Sequence, residues 1–188
     1  AAGAAARAAL PTARLAEDAF ERFVALGFPT TREEDWKYTS VASIARGSFA
    51  PAPRAVTPQL PEDVLLSSLA GARLVLVNGR VAPELSRGTA AASLASALAG
   101  SGDVPDRLGS LIAGRSSAFT HLNTALFQDG AVVRVPPGQS AGTVHVVHVT
   151  AGEARPVAAH PRLLVWLERG ASATVVETHV GAGEGSLT

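Results

Sequence analysis

Apolar and polar residues alternate along two stretches late in the chain. The first, from Ala131, reads AVVRVPPGQSAGTVHVVHVT, and the second, from Arg162, reads RLLVWLERGASATVVETHVG. A period of two is the signature of strands that bury one face. Each stretch reads as strand, turn, strand, with the turn at Gly138 or Gly170 and a histidine (His148, His179) near the end of the second strand. Pro136-Pro137-Gly138 cannot continue a hydrogen-bonded ladder, so a turn is forced there. The turn glycines stand 32 positions apart, a spacing that fits successive coils of a β solenoid. Two copies alone also permit a sandwich or a jelly roll.

The helical period dominates earlier. Leu15, Ala19, Phe23 and Leu26 form a stripe, widened by Phe20 and Val24, which predicts a helix over 12–26 with its apolar face on a core. Thr12 suits its cap and Gly27 its left-handed C-terminal position. Thr31-Arg32-Glu33-Glu34 matches a capping box, opening a short helix that carries Glu34, Asp35, Trp36, Lys37, Tyr38 and Thr39. Trp36 and Tyr38, two apart, cannot share a helix face, so one packs inward and the other lies at the rim. A packing anchor is the plainest role for this segment, with ligand stacking or partner binding as the alternative.

Pro51, Pro53, Pro58 and Pro61 mark an extended linker. After it, RLVLVNGRVA reads as a hairpin whose Asn78-Gly79 pair tolerates the positive φ of a type I′ turn. The apolar run before that turn predicts a strand buried on both faces. Ala90 to Leu98 reads as strand or helix, and helices are expected over 105–113 and 117–126. The last has a Phe119, Leu122, Leu126 stripe with Asn123 beside it. Gln128-Asp129-Gly130 reads as the turn into the β segment. Three regions follow: 1–60, helical with the Pro-rich linker; 61–130, the hairpin and helices; and 131–188, the start of a β core. The fold class expected is α+β.

Composition narrows the chemistry. Apolar residues make up 47% and charged residues 17% of 188, so a packed core is expected. Sixteen basic residues balance sixteen acidic ones, which gives no field for nucleic acid or an anionic membrane. The chain has no cysteine, so disulfides and thiolate ligands are excluded within it. No window approaches the roughly 18 apolar residues of a membrane span, and a cytosolic protein is expected.

Four of the five histidines lie in or beside the β segment: His145, His148, His160 and His179. His145 and His148 are three apart and face opposite sides of one strand, so they cannot share an ion. Glu177 and His179 do share a face. A cupin-like β-barrel metalloenzyme using His145, His160, Glu177 and His179 is the enzymatic alternative. No nucleophile elbow, phosphate loop or dinucleotide fingerprint is present, so no metal, cofactor or catalytic residue is expected.

Four segments taken in order resemble the SufB/SufD family of the SUF iron–sulfur cluster assembly machinery. They are GFPTTREEDWKYTSV, LVLVNGRVAPELS, AFTHLNTALFQDGAVVRVPPG and HPRLLVWLERGASATVVETHV. The resemblance runs from about Leu15 to the last residue, and the segment from Glu34 to Thr39 points to the SufD branch. It marks Glu34, Trp36, Lys37, Tyr38, Asn78, Gly79, Asn123, Gly130, Pro161 and Gly170 as structural landmarks. It implies a helical N-terminal domain followed by a right-handed parallel β-helix. It further implies a non-enzymatic scaffold that pairs with a SufB-like paralogue and a SufC-like ATPase, with the iron–sulfur cluster belonging to the full complex. The family's cluster-assembly residues lie further along than this chain, which is therefore expected to hold the N-terminal portion. Self-association through an open coil is also expected.

Overall fold

The computed structural model describes residues 13–52, 58, 60, 62–66, 68–88, 91–100, 104–108, 110, 117–151, 156–182 and 186–187. The Thr12 cap, the middle of the Pro-rich linker and the end of the helix expected over 105–113 lie outside these residues. In order, the first elements are α1 (Ala13–Leu26), a 3-10 turn (Glu34–Trp36) and α2 (Ala42–Arg46). Next come β1 (Ala50–Pro51), α3 (Glu62–Leu65), β2 (Ala72–Val77), β3 (Arg80–Val81), a 3-10 turn (Pro83–Leu85) and β4 (Ala91–Ser93). Then α4 (Leu94–Ala99), α5 (Val104–Arg107) and α6 (Ala118–Leu126) lead into β5 (Gly130–Val135) and β6 (Ser140–Ala151). The final strands are β7 (Val157–Ala158), β8 (Arg162–Leu167), β9 (Ser172–Ala182) and β10 (Ser186–Leu187).

The chain forms two compact units, Ala1–Phe49 with Asp103–Leu126, and Ala50–Gly102 with Phe127–Thr188. The division differs from boundaries at 60 and 130, because the segment between them contributes to both units.

In the helical unit α1 packs on α6. Gly27 takes φ 69° beyond α1, and its amide donates to the Phe23 carbonyl at 2.8 Å, the expected left-handed stop. The stripe of α1 is only partly covered: Ala19 is buried, but Phe20, Val24 and Leu26 are 44, 63 and 61% exposed. The capping interaction sits one residue earlier than expected. Glu33 Oε1 accepts from the Thr30 amide at 2.8 Å, and the helix that follows is a single 3-10 turn. Trp36 turns inward, its ring 5.4 Å from Phe119, which in turn lies 5.8 Å from Phe28, while Tyr38 is 92% exposed. On α6 the buried side is Ala118, His121, Thr124 and Ala125, one step round from the expected Phe119 stripe. Phe119 flanks that side because Phe28 and Trp36 hold it there.

Among the described residues the β unit holds three sheets. One orders β3-β2-β6-β9, the second β4-β5-β8 and the third β1-β7-β10. β5, β6 and β7 each lie parallel to the strand of the next stretch, β8, β9 and β10. Gly130 faces Arg162 and Ser140 faces Ser172, the 32-residue spacing of the turn glycines. The turns themselves stack, the Gly138 amide donating to the Arg169 carbonyl at 3.0 Å. None of the described sheets closes into a barrel, so the cupin-like architecture is not the one this sequence adopts.

β2 is buried on both faces, as its unbroken apolar run predicts. Leu74 and Leu76 join Val144 and Val146 of β6 and Ala131, Val133 and Val135 of β5 in one core layer. Val75 and Val77 join Val147 and Val149 in a second layer, covered by Leu60, Val64, Leu65 and Leu85. The segment from Ala90 resolves into both options, strand β4 and then helix α4, with Ser93 Oγ capping the Ser96 amide at 3.1 Å. Gly130 is the first residue of β5 rather than a turn residue. A Cβ there would collide with the Arg162 carbonyl of the paired strand, so the close approach of the two backbones requires glycine.

Candidate functional site

The β6–β9 pairing builds the most chemically loaded surface of the described residues. The register places His148 opposite His179 and Val146 opposite Glu177. Val144 and Val146 belong to the layer facing β5, so His148, Glu177 and His179 continue that same side of the sheet. His148 is buried, and its Nε2 lies 3.0 Å from Glu177 Oε1. The His148 and His179 rings stack with centroids 4.4 Å apart and planes 7° from parallel. Ligand atoms of all three residues fall within 4.8 Å of one another.

Burial pushes the His148 pKa down, His179 adding to this and the Glu177 carboxylate opposing it. The proton between Nε2 and Oε1 therefore sits on an imidazole that prefers neutrality, next to an acceptor that is 44% exposed. The His148 Nδ1 atom is buried with no hydrogen-bond partner among the described residues.

This trio is not the set expected for a metalloenzyme. His145 turns to the opposite face, where its Nε2 lies 2.9 Å from Thr178 Oγ1, as its parity with His148 requires. Burial also lowers its pKa, with Arg73 and Arg87 contributing. His160 precedes Pro161 between β7 and β8, and burial alone lowers its pKa. Neither His145 nor His160 joins Glu177 and His179. His148 takes the third place.

A bulge explains why. Between Ser140 and Thr143 the pairing slips, so that β6 spends one residue more than β9. Gly142, at φ 64°, supplies the left-handed residue, and its amide donates to Ser140 Oγ at 3.2 Å. Beyond the bulge the offset is 31. At a strict offset of 32, His179 would face Val147 and lie across the sheet from His148.

The structural landmarks fall elsewhere. Asn78 and Gly79 take φ 53° and 76° in the β2–β3 turn, and Asn78 Oδ1 accepts from the Ala151 amide at 2.9 Å, tying the turn to β6. A Cβ added at Gly79 would lie 3.5 Å from the backbone nitrogen of Pro161. Glu34 and Lys37 are exposed in the helical unit, with Lys37 Nζ 5.6 Å from the Tyr38 ring, and Asn123 is half-buried on α6. Gly170, at φ 71°, stacks on Gly138. A buried carboxylate missed in the sequence joins these. Asp129 accepts from the Val81 amide, Ser93 Oγ and the Ala95 amide at 2.9–3.0 Å, pinning β3, β4 and α4 to the start of β5. These contacts are architectural, and they tie the turns and strands together.

Comparison with known proteins gives the family. The family model "SufBD protein N-terminal region" matches residues 5–144. The chain belongs to the SufBD family. This SufBD chain is 31% identical over 172 residues to the "Iron-sulfur cluster assembly protein SufD" of Escherichia coli K12, covering 90% of the chain and 39% of that protein. It is 28% identical over 163 residues to an iron–sulfur cluster assembly SufBD family protein of Synechocystis sp., covering 82% of the chain and 36% of the relative. The chain thus spans less than half the length of either curated relative. Among the described residues no helix is long and apolar enough to cross a membrane.

Proposed function

We propose that this SufBD chain is part of a SufD-like scaffold for iron–sulfur cluster assembly. It acts by assembling with a SufB-like paralogue and a SufC-like ATPase in the cytosol, and not by catalysis of its own. The observation that carries the reading is the family match over most of the chain, together with the similarity to a protein named for this role. The parallel stacking of β5 on β8, β6 on β9 and β7 on β10 supports a right-handed parallel β-helix as the framework. In such a framework each coil is a platform for the next, and a partner's coils are a natural continuation. The cluster is the cargo of the complex, with no resident cofactor assigned to this chain.

Co-expression of the protein carrying this chain with a SufB-like paralogue and a SufC-like ATPase tests the proposal. Co-elution of all three at fixed stoichiometry is expected, with restored cluster assembly in cells lacking SufD. A protein that elutes without either partner and restores nothing would refute it.

A further inference from the structure

We infer that His148, Glu177 and His179 form a binding site for a divalent first-row transition-metal ion of the zinc or ferrous class. The donor set is two imidazoles and one carboxylate, the combination that suits borderline cations and leaves coordination positions open for water or an exchangeable ligand. The three come together through backbone register, which does not depend on chance rotamers. Parallel pairing puts His148 directly opposite His179, and Glu177 shares their face two residues before His179.

The spacing suits an ion. Two donors each about 2.1 Å from a metal lie about 3.0 Å apart at the right angle of an octahedral ion and about 3.4 Å apart at the tetrahedral angle of zinc. His148 Nε2 and Glu177 Oε1 are 3.0 Å apart, so they need to separate by a few tenths of an ångström at most for an ion to replace the proton they share. His179 is stacked on His148 with the ring planes 7° apart, and, being exposed, it has to swing out of the stack about its side-chain torsions to bring a nitrogen to an ion in the plane of the His148 ring.

The neighbours leave the site receptive. Among the described residues Nε2 is the ring nitrogen of His148 that meets a polar partner, so it is the nitrogen turned towards Glu177 and towards an ion held there. His145 is committed to Thr178 on the other face and does not compete. His148 is buried, while Glu177 and His179 are exposed. The inference goes beyond the scaffold role, since nothing in that role requires an ion at these coils.

Cobalt(II) is the probe, titrated into chelator-treated protein and followed by its visible absorption and by paramagnetically shifted imidazole protons. One equivalent binding in the micromolar range is expected. His179→Ala and Glu177→Gln alter exposed side chains, so both are expected to fold, and each weakens cobalt binding about tenfold or more. Circular dichroism checks their folding, with His179→Gln as the replacement if the alanine variant does not fold. Cobalt bound no tighter than about 1 mM, or bound equally well by the folded variants, overturns the site. That outcome leaves the scaffold proposal standing, because complex formation is measured without the metal.

Discussion

The two units of this chain are stabilised in different ways. Among the described residues all nine of the largest fully buried side chains belong to the β unit: Leu76, Leu94, Leu98, Val75, Val133, Val144, Val146, Val147 and Val149. In the helical unit the buried positions of α1 and α6 are alanines, a histidine and a threonine; Val41, Val104 and Leu108 are buried outside those helices, and the aromatic rings that meet are half-covered. Burial stabilises by roughly 25 cal/mol per Å² of apolar surface, so an alanine seam contributes far less than a valine ladder of equal length. The β unit gains a second advantage from register. β5 pairs with β8 and β6 with β9 in parallel along most of their lengths, so one set of backbone hydrogen bonds positions a whole row of side chains. The helical unit depends instead on the Phe23, Phe28, Phe119 and Trp36 contacts and on local caps. Stability should therefore be uneven, with the helical unit opening at lower free energy.

Truncating one core residue in each unit gives the largest expected effect. Leu76 is fully buried between two layers, and Leu76→Ala should cost about 2–5 kcal/mol and reduce amide protection throughout the β unit. Phe119 is half-buried, so Phe119→Ala should cost about half of the 3–5 kcal/mol lost by a fully buried ring. Its loss of protection should be confined to α1, α6 and the turn at Glu34–Trp36. Hydrogen exchange by mass spectrometry reads both. Equal losses spread over both units would show that the chain unfolds as one body and remove the contrast.

The same contrast decides what could be read from the residues alone. Strong periodicity was legible: the hairpin at Asn78-Gly79, the turns at Gly138 and Gly170 and the doubly buried β2 all follow from local chemistry. The helical unit was legible only as helices. The sides that α1 and α6 present to each other depend on which aromatic ring fills the gap, and no period encodes that. Asp129 was read as a turn residue because its three donors come from Val81, Ser93 and Ala95, 34–48 positions earlier in sequence. The trio of His148, Glu177 and His179 was hidden by a single extra residue. Its faces depend on the bulge at Gly142, and a slip of one position reverses every side chain beyond it. A glycine three residues before His145, in a strand otherwise rich in valine and threonine, was the available sign.

Acidification should act more on the β unit. His145 and His160 there, and His121 in the helical unit with Arg22 nearby, all have pKa values lowered by burial. In the unfolded chain each titrates near 6.5, so the unfolded state binds more protons as pH falls through that value. The stability contributed by neutral histidine is complete above about pH 6.5 and is lost as pH falls below it. With three such histidines, counting His148, against one, the β unit should lose more stability between pH 7.5 and 5.5. Exchange protection measured unit by unit at both pH values checks this, and a greater loss in the helical unit would reverse the ranking.

The smallest expected effect is also the cleanest comparison. Gly27 and Gly138 share φ 69°, and an added Cβ at either meets open space, so Gly→Ala introduces the same backbone strain without a clash. For an L-residue that strain is roughly 1–2 kcal/mol. How much of it appears in measured stability depends on whether the turn can relax. Gly27 ends a helix, and α1 can relieve the strain by fraying its last turn, where Leu26 is already exposed. Gly138 cannot relax so easily, because its amide is bonded to Arg169 of the stacked turn and the strands on both sides are locked in register. Chemical denaturation should show the full 1–2 kcal/mol for Gly138→Ala and less than about 1 kcal/mol for Gly27→Ala. Equal costs would mean that the helix end is held as firmly as the coil, and that the two units differ in the size of their cores but not in the rigidity of their turns.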